Sequence, residues 1–219
     1  MLSHRLQTAL DLVHPTAVLV DVGTDHGYLA LAAVRQKIAQ RVIAIDNKAG
    51  PLAQARKNIE GSVGSEHITL LLGEGLTCLS EPYDTVFIAG MGGSLIARIL
   101  SEVALDTVNQ IVLQPSKHPE QVRRWASQNG FTIEQECFLE EAGIYYTALS
   151  IVPQEGHLND AEILYGPCLL KEKSPLYRTY LEEELRYLTK TLQAIPKNRF
   201  QPSLISQKHA ILEAILREW

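Results

Sequence analysis

The chain has 219 residues, of which 46% are hydrophobic and 21% charged, and its formal net charge is −5. That length supports one domain of about 150 residues with a smaller appendage, and the acidic balance excludes a protein that coats a polyanion over its whole surface. No run of about 18 or more apolar residues occurs, so a membrane span is not expected and the cytoplasm is the default compartment. The opening stretch MLSHRLQTALDLVHP is amphipathic rather than a signal peptide. Leu2, Leu6, Leu10 and Val13 share one face of a helix predicted over residues 2–13, which Pro15 ends and which should pack on a sheet.

The next elements alternate. Strand one covers 17–22, a helix 27–38, strand two 41–46, and a helix runs from about Pro51 to Glu60 with proline in its first turn. After the breaker Gly61-Ser-Val-Gly64, strand three spans 67–72 and strand four 83–89, followed by a helix at 94–100, strand five at 110–114 and a helix at 119–129. Strands 131–139 and 144–152, joined by Glu140-Glu-Ala-Gly143, predict an antiparallel hairpin that finishes the sheet. This α/β pattern implies a mostly parallel, seven-stranded sheet with helices on both faces. Cys78, Cys137 and Cys168 are distant and odd in number, which suits neither a disulfide framework nor a zinc site, so they read as free thiols and no metal is expected.

In such sheets ligands lie across the carboxyl ends of the strands. Strand one ends in Asp21 and turns through Gly23-Thr24-Asp25-His26-Gly27 into the helix that begins near Tyr28. Glycine lets a ligand approach the backbone, and a helix start offers unpaired N–H groups. The turn lacks the third glycine of a dinucleotide loop, and Asp21 and Asp25 would repel a pyrophosphate while favouring a ligand with a sulfonium cation. Asp46, at the end of strand two about 20 residues on, is placed to take both hydroxyls of a ribose, with Asn47 beside it. Gly73, Glu74, Gly75 and Leu76 would border an adenine. Ala89-Gly90-Met91-Gly92-Gly93 puts three glycines in four residues at another strand end, as though a ligand pressed on the main chain. Bland readings exist for these residues too: Asp25 could cap a helix, His26 could bond locally, and Tyr28 could be helix packing.

Beyond Pro153-Gln-Glu-Gly156 a boundary is expected, giving domains 1–155 and 156–219. A helix from Ser174-Pro175 carries Leu181, Leu185, Leu188 and Leu192 at coiled-coil spacing, and Leu204, Lys208, Ile211, Ile215 and Trp219 form a second seam, with Pro196 and Pro202 around the turn. Residues 1–159 hold 11 Lys/Arg against 17 Asp/Glu, whereas residues 160–219 hold 9 against 8. A polyanion surface must therefore be local.

DVGTDHGYL at 21–29, GEGL at 73–76, AGMGG at 89–93, LQPS at 113–116 and YGPCLLKEK at 165–173 together resemble the bacterial tRNA (adenine(22)-N1)-methyltransferase family, TrmK, over nearly the full chain. Ser116 stands where that family more usually has Asn, and DNKAG at 46–50 differs from its more usual acid-valine wording. The resemblance implies a Rossmann-like class I methyltransferase with a C-terminal helical hairpin. It also implies S-adenosyl-L-methionine as cofactor and methyl transfer to ring nitrogen 1 of an adenine in tRNA. On that reading Asp21, Gly23, Asp46, Asn47, Gly73, Glu74, Gly75, Leu76, Gly90, Met91 and Gly92 bind the cofactor, and Asp25, His26 and Tyr28 line the catalytic mouth. Gln114, Pro115 and Ser116 frame the adenine, while Lys197 and Arg199 at the hairpin turn meet tRNA phosphates, and the protein acts as a monomer or weak homodimer. The alternative is another S-adenosylmethionine-binding protein or small-molecule methyltransferase whose hairpin serves protein association.

Overall fold

The computed structural model describes residues 2–194 and 204–219. In chain order its elements are α1 (His4–Leu10), β1 (Thr16–Val22), α2 (Tyr28–Arg35), β2 (Ala39–Asp46), α3 (Ala49–Ile59), a 3-10 turn (Ser65–His67), β3 (Ile68–Leu72), β4 (Thr85–Ala89), α4 (Gly93–Ser101) and β5 (Gln110–Gln114). Then come α5 (Pro119–Gln128), β6 (Phe131–Glu141), β7 (Ile144–Pro153), α6 (Asp160–Tyr165), α7 (Pro167–Glu172), α8 (Pro175–Ala194) and α9 (Leu204–Arg217). Two units divide the chain, one ending at His157 and the other beginning at Leu158.

The first unit carries one seven-stranded sheet in the order β3-β2-β1-β4-β5-β7-β6. β1 to β5 pair in parallel, while β7 runs antiparallel to both β5 and β6. The order reverses between β1 and β4, which is where a parallel sheet opens a crevice at its carboxyl edge. Successive side chains on a strand face opposite sides, and both sets are buried here. Leu19, Val42, Phe87 and Val112 join α1 and α2 in one cluster, while Val20, Ile43, Val86, Ile88, Ile111 and Leu113 fill the other side. Apolar runs without alternation, as in Ile111-Val112-Leu113, are the sequence trace of strands covered on both faces.

The expected hairpin is β6-β7. Ala142 and Gly143 both take positive φ, 54° and 77°, in the two-residue turn whose twist matches that of the flanking strands. α1 is shorter than the predicted 2–13, but its end is anchored: the buried Gln110 amide donates to the Leu12 carbonyl (2.7 Å) and accepts from the His14 N–H (2.8 Å). Arg123, a cation on α5, is fully buried. Its Nε donates to Glu136 Oε1 at 2.7 Å beneath α5, because a guanidinium in the interior persists only with a paired carboxylate.

The second unit contains α6 to α9. The apolar periodicity does not predict α6 and α7, although Asn159 and Glu162 form a reciprocal capping box at the start of α6, a signal present in the sequence as Asn-x-x-Glu. On α8, Leu181 and Leu188 are buried as the seam predicts. On α9 the predicted seam is displaced: Leu204 is exposed and the buried residue is Leu212, with Lys208 turned to Glu184. α8 and α9 pack on one another, and the Tyr177 hydroxyl donates to the Tyr165 carbonyl. Lys197 and Arg199, with Pro196 and Pro202, lie outside the described residues. Among those described, no helix is long and apolar enough to cross a membrane.

Candidate active site

The β1–α2 turn folds back over the end of β2. The N–H groups of Gly23 and Thr24 both donate to the Ile45 carbonyl, at 2.8 and 2.9 Å. Two cavities open on either side of this turn, and Gly23 lines both. The division follows from strand alternation. Val22 and Ile45 point to the first cavity, whereas Asp21, Phe87 and Ala89 point to the second, on the sheet face that α1 and α2 cover.

The first cavity is lined by Asp46, Asn47, Gly73, Glu74, Gly75, Met91, Leu95 and Arg98, among others. Both carboxylate oxygens of Asp46 are held: Oδ1 accepts the Lys48 N–H at 2.9 Å and Oδ2 that of Asp25 at 3.4 Å. Its orientation is thus set by backbone rather than by a mobile partner. Gly23 has φ +78°, a conformation that favours glycine, and a Cβ there would sit 2.4 Å from Met91 Cε, so a side chain would have to displace the end of Met91. Leu76, grouped with this site from sequence, is instead a core residue at 1% exposure and does not line the cavity.

The second cavity gathers Asp21, Thr24, Asp25, His26 and Tyr28, and adds Leu2, Ser3, Arg5 and Leu6 from the start of the chain. Asp21 is buried and accepts the Thr24 hydroxyl at 2.6 Å. Burial pushes its carboxyl up to about 7, with the neighbouring Asp46 charge adding to the rise and the Thr24 hydrogen bond opposing it. Asp25 is exposed with φ +50°, and its carboxylate lies 3.5 Å from His26 Nε2. It does not cap α2, whose N-cap is Gly27 without a side-chain hydrogen bond. The His26 and Tyr28 rings meet at 5.8 Å and 45°, and Tyr28 is 44% exposed. Arg5 is fixed by three groups: its Nη1 donates to Gln114 Oε1 (2.7 Å), its Nε faces Glu141 (3.7 Å), and its guanidinium lies 5.2 Å from the Tyr146 ring centre. The amphipathic pattern of residues 2–13 signals packing on the sheet, not that its first turn walls a cavity.

The glycine cluster at 90–93 has a mixed cause. Gly90 lines the second cavity and Met91 the first, but Gly93 is required by the protein itself, since a Cβ there would lie 2.0 Å from the His118 carbonyl oxygen. The loops after β4 and β5 are zipped together. Gly90 N–H donates to Gln114 O (3.0 Å), Ser116 N–H to Met91 O (2.8 Å) and Gly93 N–H to Lys117 O (2.9 Å), and Gly92 pairs with Lys117. Gln114 is fully buried, with its amide divided between Arg5 and the Pro115 carbonyl, and Pro115 is buried beside it. Of the three loop residues singled out from sequence, Ser116 alone is exposed.

The profile of the family described as tRNA (adenine(22)-N(1))-methyltransferase, TrmK, matches residues 19–217. The chain belongs to the TrmK family. The tRNA (adenine(22)-N(1))-methyltransferase of Bacillus subtilis is 34% identical over 196 residues, covering 85% of this chain and 82% of that protein. Among solved structures, Mycoplasma capricolum TrmK in complex with S-adenosyl-homocysteine superposes with a TM-score of 0.90 at 28% identity, covering 99% of this chain and 98% of that one. The Streptococcus pneumoniae protein Sp1610 in complex with S-adenosyl-L-methionine gives 0.89 at 33% identity, covering 99% and 100%. The expected methyltransferase fold, a mostly parallel seven-stranded sheet followed by C-terminal helices, is therefore the TrmK fold.

Proposed function

We propose that this TrmK-family chain transfers the methyl group of S-adenosyl-L-methionine to ring nitrogen 1 of an adenine in tRNA, at position 22. The family match through both units carries the reading, and the paired cavities joined at Gly23 supply its geometry. Their residues fit that cofactor: a fixed carboxylate in the first cavity, a glycine at the junction, and a buried acid in the next cavity beside which a cation is favourable. When bound, S-adenosylmethionine supplies an electrophilic methyl and a neutral thioether as leaving group.

Asp46, oriented by two backbone N–H groups, takes the ribose hydroxyls, and Asn47, Gly73, Glu74, Gly75 and Met91 enclose the adenosine. Asp21, Gly23 and Gly90 border its amino-acid end, and Gly92 holds the loop that carries Met91. Adenine N1 already has an in-plane lone pair, so no proton need leave before attack, and catalysis rests on alignment and on stabilising the charge that develops on the ring. Asp25, whose carboxylate is not consumed by capping, sits where it stabilises that charge and later receives the exocyclic amine's proton. His26 and Tyr28 form an aromatic rim for an unstacked base, and Ser116 frames it, while Gln114 and Pro115 act from beneath by fixing Arg5 and the loop. The helical unit, domain 156–219 in this reading, supplies tRNA affinity through cations including Lys197 and Arg199, and the catalytic domain is 1–155. The enzyme works in the cytoplasm as a monomer or weak homodimer.

Incubation with methyl-labelled S-adenosylmethionine tests the activity. Label should enter unmodified tRNA at catalytic turnover, whereas labelling of a protein or small molecule in preference to tRNA would refute it.

A further inference from the structure

The cavity that receives the substrate base in this reading is acidic, since Asp21 and Asp25 line it. A nucleotide that leaves its stack brings its flanking phosphates to that mouth, and the like-charge repulsion there must be offset by a cation on the rim. In the loops that follow β1 to β5, lysine or arginine occurs only at Lys48 and Lys117. Lys48 belongs to the first cavity's side, where Asp46 accepts its N–H. Lys117 follows Ser116, on the loop that frames the base. Its head is exposed, yet its backbone and stem are fixed. The Lys117 carbonyl accepts the Gly93 N–H at 2.9 Å, and its backbone pairs with Gly92 in a parallel bridge. A Cβ at Gly92 would meet Lys117 Cε at 3.4 Å and Cγ at 3.7 Å, so the methylene chain lies along the β4 loop, whose Met91 and Gly90 line the two cavities. The ammonium at its end has no hydrogen bond or ion pair among the described residues, and the nearest acid in sequence, Glu120, is taken by His118 Nδ1 at 3.0 Å. A stem packed on backbone with its charge left in water offers that charge outward.

We propose that Lys117 contacts a phosphate flanking the adenosine that is methylated, and so holds the extruded nucleotide while Ser116, His26 and Tyr28 frame its base. The inference rests on tRNA as the substrate. A contact beside the base cavity forms only once the base has entered, so it strengthens the reacting complex and acts on methylation as well as on affinity. The other oxyanion this ammonium could serve is the cofactor's carboxylate, and the experiment separates the two.

The test is single-turnover methylation of tRNA carrying one uncharged methylphosphonate linkage, placed at either phosphate flanking nucleotide 22. On ordinary tRNA at subsaturating concentration, Lys117→Gln should lose about 10-fold in rate, the lower end for a charge-assisted contact, and Lys117→Arg should keep most of it. One of the neutral linkages should cost the parent the same factor and cost Lys117→Gln nothing more, as two changes do when they remove one contact. S-adenosylmethionine affinity by calorimetry should be equal in all three proteins, which also certifies the fold. A Lys117→Gln rate equal to the parent's, or equal losses in parent and variant at both linkages, overturns the proposal. A fall in cofactor affinity overturns it too, and gives Lys117 to the cofactor's carboxylate. A parent that methylates no tRNA would defeat the substrate reading itself, a failure distinct from these.

Discussion

Asp21 offers a stability prediction whose size comes directly from its surroundings. Its carboxyl is raised from the ordinary 3.8 to about 7, so between those values the folded chain holds a proton that the unfolded chain releases. Stability must therefore fall as pH rises across that window, at about 1.4 kcal/mol per unit, and level off above about 7. Over about three units the full penalty of the ionised form is on the order of 4 kcal/mol. Asp21→Asn keeps an oxygen for the Thr24 hydroxyl but cannot ionise. In urea denaturation from pH 4.5 to 8.5, roughly the window of that titration, the variant should gain on the parent steadily up to neutrality, and the difference should then become constant. A difference that is flat across the range, or that shrinks with rising pH, would refute the account of Asp21 as a buried acid destabilised by its own charge. A corollary concerns ligand binding: a cation lodged beside Asp21 favours its ionised form, so cofactor binding near neutral pH should release a proton. Calorimetric heats should then vary with the ionisation enthalpy of the buffer in the parent and not in Asp21→Asn.

Three further predictions address other parts of the molecule. Asp25→Asn should keep cofactor affinity yet slow single-turnover methylation by roughly 100-fold or more, the scale of a lost acid-base or electrostatic group, and an unchanged rate would remove Asp25 from the chemistry. Arg123→Ala should cost about 3–5 kcal/mol in denaturant unfolding by stranding Glu136, while the salt dependence of tRNA binding stays the same; a shallower salt slope at full stability would return Arg123 to the surface. Lys197→Glu with Arg199→Glu should weaken tRNA binding and lower the slope of log affinity against log salt by about one for every phosphate no longer neutralised, with cofactor affinity intact. Parental affinity and slope would move phosphate binding to other cations.

The parts of this fold legible in sequence are those governed by short-range patterns. Unbroken apolar runs mark the buried parallel strands, and Glu140-Glu-Ala-Gly143 marks the hairpin turn. Asp46 at a strand end is readable as a site residue because spacing along the chain and position at the sheet edge are linked in this topology. What escapes depends on distant chain. Nothing near Arg123 in sequence announces that Glu136, thirteen residues on, meets it in the interior. Gly93 resembles a ligand-contact glycine until the His118 carbonyl is seen against it, and Arg5 gains its place only through Gln114, Glu141 and Tyr146. On α9, Lys208 pairs with Glu184 of α8 and Leu212 rather than Leu204 is the buried leucine, a choice that depends on what α8 presents to it.

Mapping the methylated base tests the central claim most directly. An unmodified tRNA carrying adenine at position 22, treated with the protein and S-adenosylmethionine, should acquire a single methyl at ring nitrogen 1 of that residue, read as a reverse-transcription stop and confirmed by nucleoside mass spectrometry. The same tRNA with guanine at that position should acquire none. Methylation at another base, at the exocyclic amine, or undiminished in the guanine variant would contradict the assignment.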